Sequence, residues 1–193
     1  KSGDYATALR EWEPLAKQGN ARAQNGVGLL YLYGLGVTKN LATALKWIQK
    51  SASAGDPRGQ ARLGVIYQFG KGVPRNNKTA VKWYRLAAKQ GHAMAQYSLG
   101  WMYENEKGVP QNDKTAMKWY TLAAEQGFAL AQKNLGIMYE TGRGVPRNNK
   151  TALKWYTLAA KQGNAFAQYN LGVMYQLGRG ITKNVETALK WYT

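Results

Sequence analysis

Apolar residues recur along this chain at steps of three and four, in two kinds of short stretch that alternate from end to end. In Gln168–Gly180, QYNLGVMYQLGRG, residues Leu171, Met174 and Tyr175 follow Ala167 at steps of four, three and one. That is the apolar stripe of an amphipathic helix. In KTALKWYTLAAKQG, from Lys150, the residues Ala152, Trp155, Tyr156 and Ala159 share one face. Between such stretches lies a loop such as VPRNNKT (Val145–Thr151), and the second stretch closes at Gly55, Gly91, Gly127 or Gly163. The pattern predicts a helical hairpin, repeated.

The repeat length is 36 residues, because Trp47, Trp83, Trp119, Trp155 and Trp191 are spaced by that interval. A fixed period in this range marks a solenoid whose stacked units share one continuous core. The chain therefore reads as one array over residues 1–193, with repeats at 21–56, 57–92, 93–128 and 129–164. A partial opening repeat covers 1–20 and a shortened one 165–193, so both ends read as cuts inside a repeat. With its second helix cut short, the last repeat is expected to leave an apolar end available for end-to-end self-association.

Glycine and asparagine punctuate each hairpin. Gly28, Gly64, Gly100, Gly136 and Gly172 sit on the apolar stripe of the first helix. A helical glycine costs about 1 kcal/mol relative to alanine, so its fivefold recurrence predicts that the second helix crosses close there. Gly34, Gly70, Gly142 and Gly178 suit a left-handed C-terminal cap. In the third unit Glu106 stands at that position, which predicts a strained or altered turn. Asn40, Asn76, Asn112, Asn148 and Asn184 are placed to cap the second helices. The Trp series, with Tyr31, Tyr67, Tyr103, Tyr139 and Tyr175, repeats in every unit and is assigned to the core.

The motif AxAQxxLGxMYxxGxGV (Ala165–Ile181), with NxxTALKWYxxAAxxG (Asn148–Gly163), resembles the Sel-one-like repeat (SLR) family, a relative of the tetratricopeptide repeat. The resemblance runs over essentially the whole chain, and KSGDYATALREWEPLAKQGN resembles the opening repeat of bacterial members. It implies an all-α, right-handed α/α superhelix of helix-turn-helix repeats, with first helices lining a concave groove. Adaptor or scaffold roles follow from the same resemblance, without naming a ligand. It also leans the compartment toward periplasm or secretion, with the cytoplasm open.

Between the core positions, the first helices carry residues that differ from unit to unit and so are free of stacking duty. The resemblance places these in the groove. As protein-binding candidates they are Asn25, Leu29 and Tyr33 in the first unit and Arg62, Val65 and Phe69 in the second. The third contributes Tyr97, Trp101 and Asn105, the fourth Lys133, Asn134 and Ile137, and the fifth Tyr169, Asn170 and Val173. Positions 68, 104, 140 and 176 fall on the same outward set. Large aromatics and arginine dominate binding hot spots, and Trp101 stands where other units hold Leu, Val or Ile.

Charge changes the picture less than its size suggests. Lysine and arginine total 27 against 10 carboxylates, a net charge of +17. Lys46, Lys82, Lys118, Lys154 and Lys190 precede the tryptophans, while Lys71, Arg75, Lys107, Arg143, Arg147, Arg179 and others fall in the loops. This basic surface reads first as a solvated face and second as a docking field for an acidic partner. Nucleic acid is disfavoured, because the lysines do not interleave with an exposed aromatic face.

Catalytic chemistry has little footing. The chain has no Cys, excluding disulfides and thiolate metal sites, and His92, its single histidine, reads as a surface residue in a turn. No Ser–His–Asp or Cys–His arrangement can be assembled, no cofactor motif occurs, and no apolar run approaches the roughly 18 residues of a membrane span. Asn77 and Asn149 lie in glycosylation sequons that helix capping explains better. The sequence thus reads as a non-enzymatic scaffold binding a protein or peptide in its groove. Two alternatives stay open: an inhibitor or immunity protein, and an envelope-glycan or peptidoglycan-associated regulator.

Overall fold

The computed structural model describes residues 4–192, which form eleven helices and no strand. Helix α1 (Tyr5–Lys17) precedes five hairpins. These are α2 (Ala21–Tyr33) with α3 (Leu41–Ser53), α4 (Pro57–Phe69) with α5 (Asn77–Lys89), and α6 (Ala93–Glu104) with α7 (Asp113–Glu125). The last two are α8 (Ala129–Thr141) with α9 (Asn149–Lys161), and α10 (Ala165–Leu177) with α11 (Val185–Tyr192). The chain divides into two compact units, Lys1–Ala95 and Gln96–Thr193.

Helix ends follow the punctuation. The Oδ1 atoms of Asn40, Asn76, Asn112, Asn148 and Asn184 each accept from the backbone N–H of the threonine three residues on. A cap of this kind contributes about 1 kcal/mol. Gly34, Gly70, Gly142 and Gly178 close the first helices in the left-handed conformation. Glu106 adopts the same conformation, with φ 53°, alone among the described non-glycine residues. The turn itself is retained: Lys107 N–H bonds to Met102 O at 2.9 Å, as Lys71 N–H bonds to Ile66 O at 3.0 Å. The third unit therefore carries strain rather than a different loop. Glu106→Gly is expected to raise stability by about 1 kcal/mol, with slower amide exchange over 104–108; unchanged exchange and unfolding would show no strain there.

The glycines on the first-helix stripe have one shared purpose. A Cβ on Gly64 would lie 2.6 Å from the Tyr84 ring, and one on Gly100 would lie 2.8 Å from the Tyr120 ring. The same approach pairs Gly136 with Tyr156 and Gly172 with Tyr192, whereas Gly28 meets Ile48. Each ring lies flat on bare helix backbone. Its hydroxyl then donates back to the first helix: Tyr84 to Gln68, Tyr120 to Glu104, Tyr156 to Glu140 and Tyr192 to Gln176.

Here the core differs from the one read off the repeat. Tyr84, Tyr120 and Tyr156 are fully buried, while the tryptophans beside them are half-buried. Adjacent helical residues diverge by about 100°, so only one of the Trp–Tyr pair can face the glycine. The tyrosine takes that place. Trp155 packs at the edge of the cluster of Tyr120, Leu135 and Met138, which joins α7 of the preceding hairpin to α8 of its own, and Trp191 packs likewise on Tyr156, Leu171 and Met174. Tyr31, Tyr67, Tyr103, Tyr139 and Tyr175 are likewise half-buried at the margins of these clusters. These two tryptophans staple their hairpin to the one before it.

A second repeating device is polar. Gln90 donates to Gln60 at 2.8 Å, Gln126 to Gln96 at 2.7 Å and Gln162 to Gln132 at 2.8 Å. The amide groups of Gln24, Gln60, Gln132 and Gln168 in turn donate to backbone carbonyls of the preceding second helix, from Ala16, Ala52, Ala124 and Ala160. Glutamine amides thereby tie successive hairpins together through the interior. At the first rung the tie is incomplete. Residue 54, where the series calls for glutamine, is Ala54, and the buried Oε1 of Gln24 has no hydrogen-bond partner.

Candidate protein-binding face

Within each unit, burial sorts the variable positions of the first helices sharply. In the first unit, Tyr33 and Phe69 stand out at the C-terminal ends of α2 and α4, 52% and 64% exposed. The Arg62 guanidinium donates to the Tyr33 hydroxyl at 3.4 Å, spanning the two helices. Leu29 and Val65 are half-buried between them. Asn25, expected to face outward, is buried, and its Oδ1 has no hydrogen-bond partner.

In the second unit the same positions are more apolar. Tyr169 is 61% exposed, with its ring centroid 5.8 Å from that of Tyr192. Phe166 and Leu177 are exposed beside it on α10. Lys133 is half-buried with its Nζ 5.4 Å over the Phe166 ring, and burial holds its pKa below the usual lysine range. Tyr97 fits between the rings of Tyr120 and Phe128, at 5.7 and 5.1 Å. Trp101 packs half-buried against the Tyr120–Leu135–Met138 cluster, and Ile137 and Val173 are half-buried too.

The amides expected to serve a ligand have local duties instead. Asn134 is buried against the Tyr120 hydroxyl, which it hydrogen-bonds. Asn170 donates to Phe166 O at 2.8 Å and exposed Asn105 to Trp101 O at 3.0 Å, each one helical turn back. Gln68, Glu104 and Glu140 belong to the outward set as well, yet they accept from the hydroxyls of buried tyrosines, and Gln176 accepts from that of Tyr192. Burial, then the Glu104 carboxylate, pushes the Tyr120 hydroxyl far above its ordinary pKa; Glu140 acts likewise on Tyr156. These hydroxyls are donors at any pH the protein meets. Internal repetition could have exposed this role, since residues 68, 104, 140 and 176 are each Gln or Glu.

Part of the basic loop edge is also committed. Arg143 pairs with Glu104 at 3.0 Å and with Asp113 at 3.1 Å, and Arg179 pairs with Glu140 at 3.5 Å. The lysines before the tryptophans are exposed as expected. Asn77 and Asn149, the first residues of α5 and α9, have buried Oδ1 atoms, so both sequons belong to helix starts.

His92 departs from its expected surface role. It is half-buried, and its Nδ1 accepts from the Ala95 N–H at 3.3 Å, capping α6. Burial, then Arg58, lowers its pKa, with Arg62 acting in the same sense and Asp56 opposing. A depressed folded pKa means that the unfolded chain binds the proton more readily, so this contribution is full above the ordinary value of 6.5 and is lost as pH falls below it. Thermal stability is expected to decline from pH 7.5 to 5.5. His92→Asn, the cap used at Asn20 and Asn164, should flatten that decline; an identical pH profile in the variant would remove His92 as its source.

The Sel1 repeat model matches residues 21–56, 57–92, 93–128, 129–164 and 165–193. The chain belongs to the Sel1 repeat family. Its fold is shared with a protective antigen of uropathogenic Escherichia coli displaying an SLR fold, at 38% identity and a TM-score of 0.92 over 95% of this chain. The chain spans 39% of the length of that antigen. A Sel1 repeat protein from Oxalobacter formigenes is 36% identical, with a TM-score of 0.87 over 97% of this chain and 82% of its own. An immunity protein from Pseudomonas aeruginosa shares the fold at 24% identity and a TM-score of 0.62, over 95% of this chain and 71% of that one. Comparison with curated proteins found no match. Sel1 repeat proteins are in general protein-interaction scaffolds, typically without catalytic activity, and no helix among the described residues is long and apolar enough to cross a membrane.

Proposed function

We propose that this Sel1 repeat protein is a non-enzymatic scaffold that holds a polypeptide partner on the exposed side chains of its first helices. The supporting observation is the exposure of large apolar groups where stacking does not require them: Tyr33 and Phe69 in one unit, Phe166 and Leu177 in the other. At the position of Tyr33, Phe69 and Leu177 two other repeats carry Asn105 and Thr141, so the hairpin does not need a large apolar group there. Aromatic anchors of this kind contribute 2 kcal/mol or more when they are hot spots. The lysines of the second helices contribute to encounter rate instead.

Phe69 and Tyr169 separate binding from folding better than Trp101, which also supports the core. Affinity capture followed by titration of the captured protein is the test. Phe69→Ala and Tyr169→Ala are expected to weaken binding about thirtyfold each with unchanged unfolding temperature. Neutralising Lys82, Lys118 and Lys154 should slow association at low salt only. Loss of binding at physiological salt in the lysine variant, with both aromatic variants intact, would move the site to the basic face.

A further inference from the structure

In the unit Lys1–Ala95, α1 and α2 leave between them a cleft of about 500 Å³ whose wall is almost wholly apolar, with Tyr5, Trp12 and Leu15 on one side and Leu29 on the other. Tyr5, Trp12 and Leu15 are each roughly two-fifths exposed. Two cations border it, Arg22 and Arg58, both exposed and in no ion pair among the described residues. Asn25 also lines it, buried to 7% exposure, with an Oδ1 that nothing in the chain satisfies.

Repetition inside the chain gives the shape of the occupant. Trp12 stands one period before Ile48 and two before Tyr84. One period along, the seat made by α3 and α4 is filled by α2, which touches both and lays Gly28 against Ile48. The seat made by α1 and α2 is therefore cut for a helix, with the Trp12 ring turned onto Gly26 of α2 to form its floor. Its charge is not that of the chain's own first helices, since α2, α4, α6, α8 and α10 carry no acidic residue in their first turn. Arg22 and Arg58 call for one. Carboxylates in the first turn of a helix are favoured by its own dipole as well.

We propose that this cleft binds an acidic amphipathic helix of a partner protein, its apolar face on Trp12, Leu15 and Leu29 and its carboxylates on Arg22 and Arg58. It rests on the protein-binding reading only in taking a polypeptide as the ligand.

The probe is a fluorescein-labelled, acetylated and amidated 16-residue helix with leucines on one face and two glutamates in its first turn. Fluorescence anisotropy should show saturable one-to-one binding. Arg22→Gln with Arg58→Gln should weaken it at least tenfold with unchanged circular dichroism, and so should Gln in place of the peptide glutamates. Those two losses should not add, because each removes the same pair of contacts. Leu15→Glu should abolish binding. An equal affinity for the neutral peptide, or an unchanged double-arginine variant, would overturn the proposal. So would a full-length chain in which the 19F resonance of fluorotryptophan at Trp12 ignores the peptide, since the seat would then belong to a segment of the same chain. Tyr169→Ala should bind the probe normally; failure of the probe with partner capture through Tyr169 intact would sink the acidic helix alone and spare the scaffold reading.

Discussion

Gly64→Ala is expected to destabilise the protein by about 1–2 kcal/mol, although alanine is the better helix former by about 1 kcal/mol. The added Cβ would fall 2.6 Å from two carbons of the Tyr84 ring. That ring has nowhere to retreat: Tyr84 is fully buried, and its hydroxyl is tied to Gln68 at 2.5 Å. Overpacking a filled core typically costs 1–3 kcal/mol, which outweighs the gain in propensity. A fall of about 2–8 °C in unfolding temperature should accompany it. The decisive measurement is a double-mutant cycle with Tyr84→Ala. With the ring gone the clash goes too, and Gly64→Ala should become neutral or stabilising. If alanine costs the same in both backgrounds, the ring is not the reason for the glycine.

This contact shows how far the sequence could be followed. The glycines on the stripe announced a close crossing, and the asparagine caps and left-handed glycines marked the helix ends within a residue or two. All of these are local, set by backbone conformation that a few residues determine. Which of two adjacent aromatics points inward is not local, and Trp155 was as plausible as Tyr156 until the facing helix was in place. The variable positions of the first helices suffered similarly. Asn25, Asn134, Glu104 and Glu140 vary or carry polarity, which reads as freedom from the core, yet they lie against buried hydroxyls or inside the packed wall. Tyr33 and Phe69 kept their exposure because they sit at the C-terminal ends of α2 and α4.

The glutamine ladder places polar groups inside the packed hairpins, and a complete rung should show what they contribute. Gln132 is buried, donates to Ala124 O at 3.1 Å and accepts from Gln162 at 2.8 Å. Truncating it removes two hydrogen bonds, worth about 1 kcal/mol each, and leaves a void. Gln132→Ala should therefore cost about 2 kcal/mol or more in urea unfolding, and Gln24→Ala about half as much, because Gln24 makes only one of the two bonds. The incomplete rung supplies the converse test. Ala54 has φ −75° and ψ 2°, close to the −87° and 10° of Gln90 one period on, and its side chain is exposed. Ala54→Gln can adopt the ladder geometry without strain and satisfy the stranded Oε1 of Gln24, for a gain of about 1 kcal/mol. That gain should vanish in a Gln24→Ala background. Should Ala54→Gln stabilise equally with and without Gln24, the benefit would lie in helix propensity at the surface, and the ladder would be packing rather than hydrogen bonding.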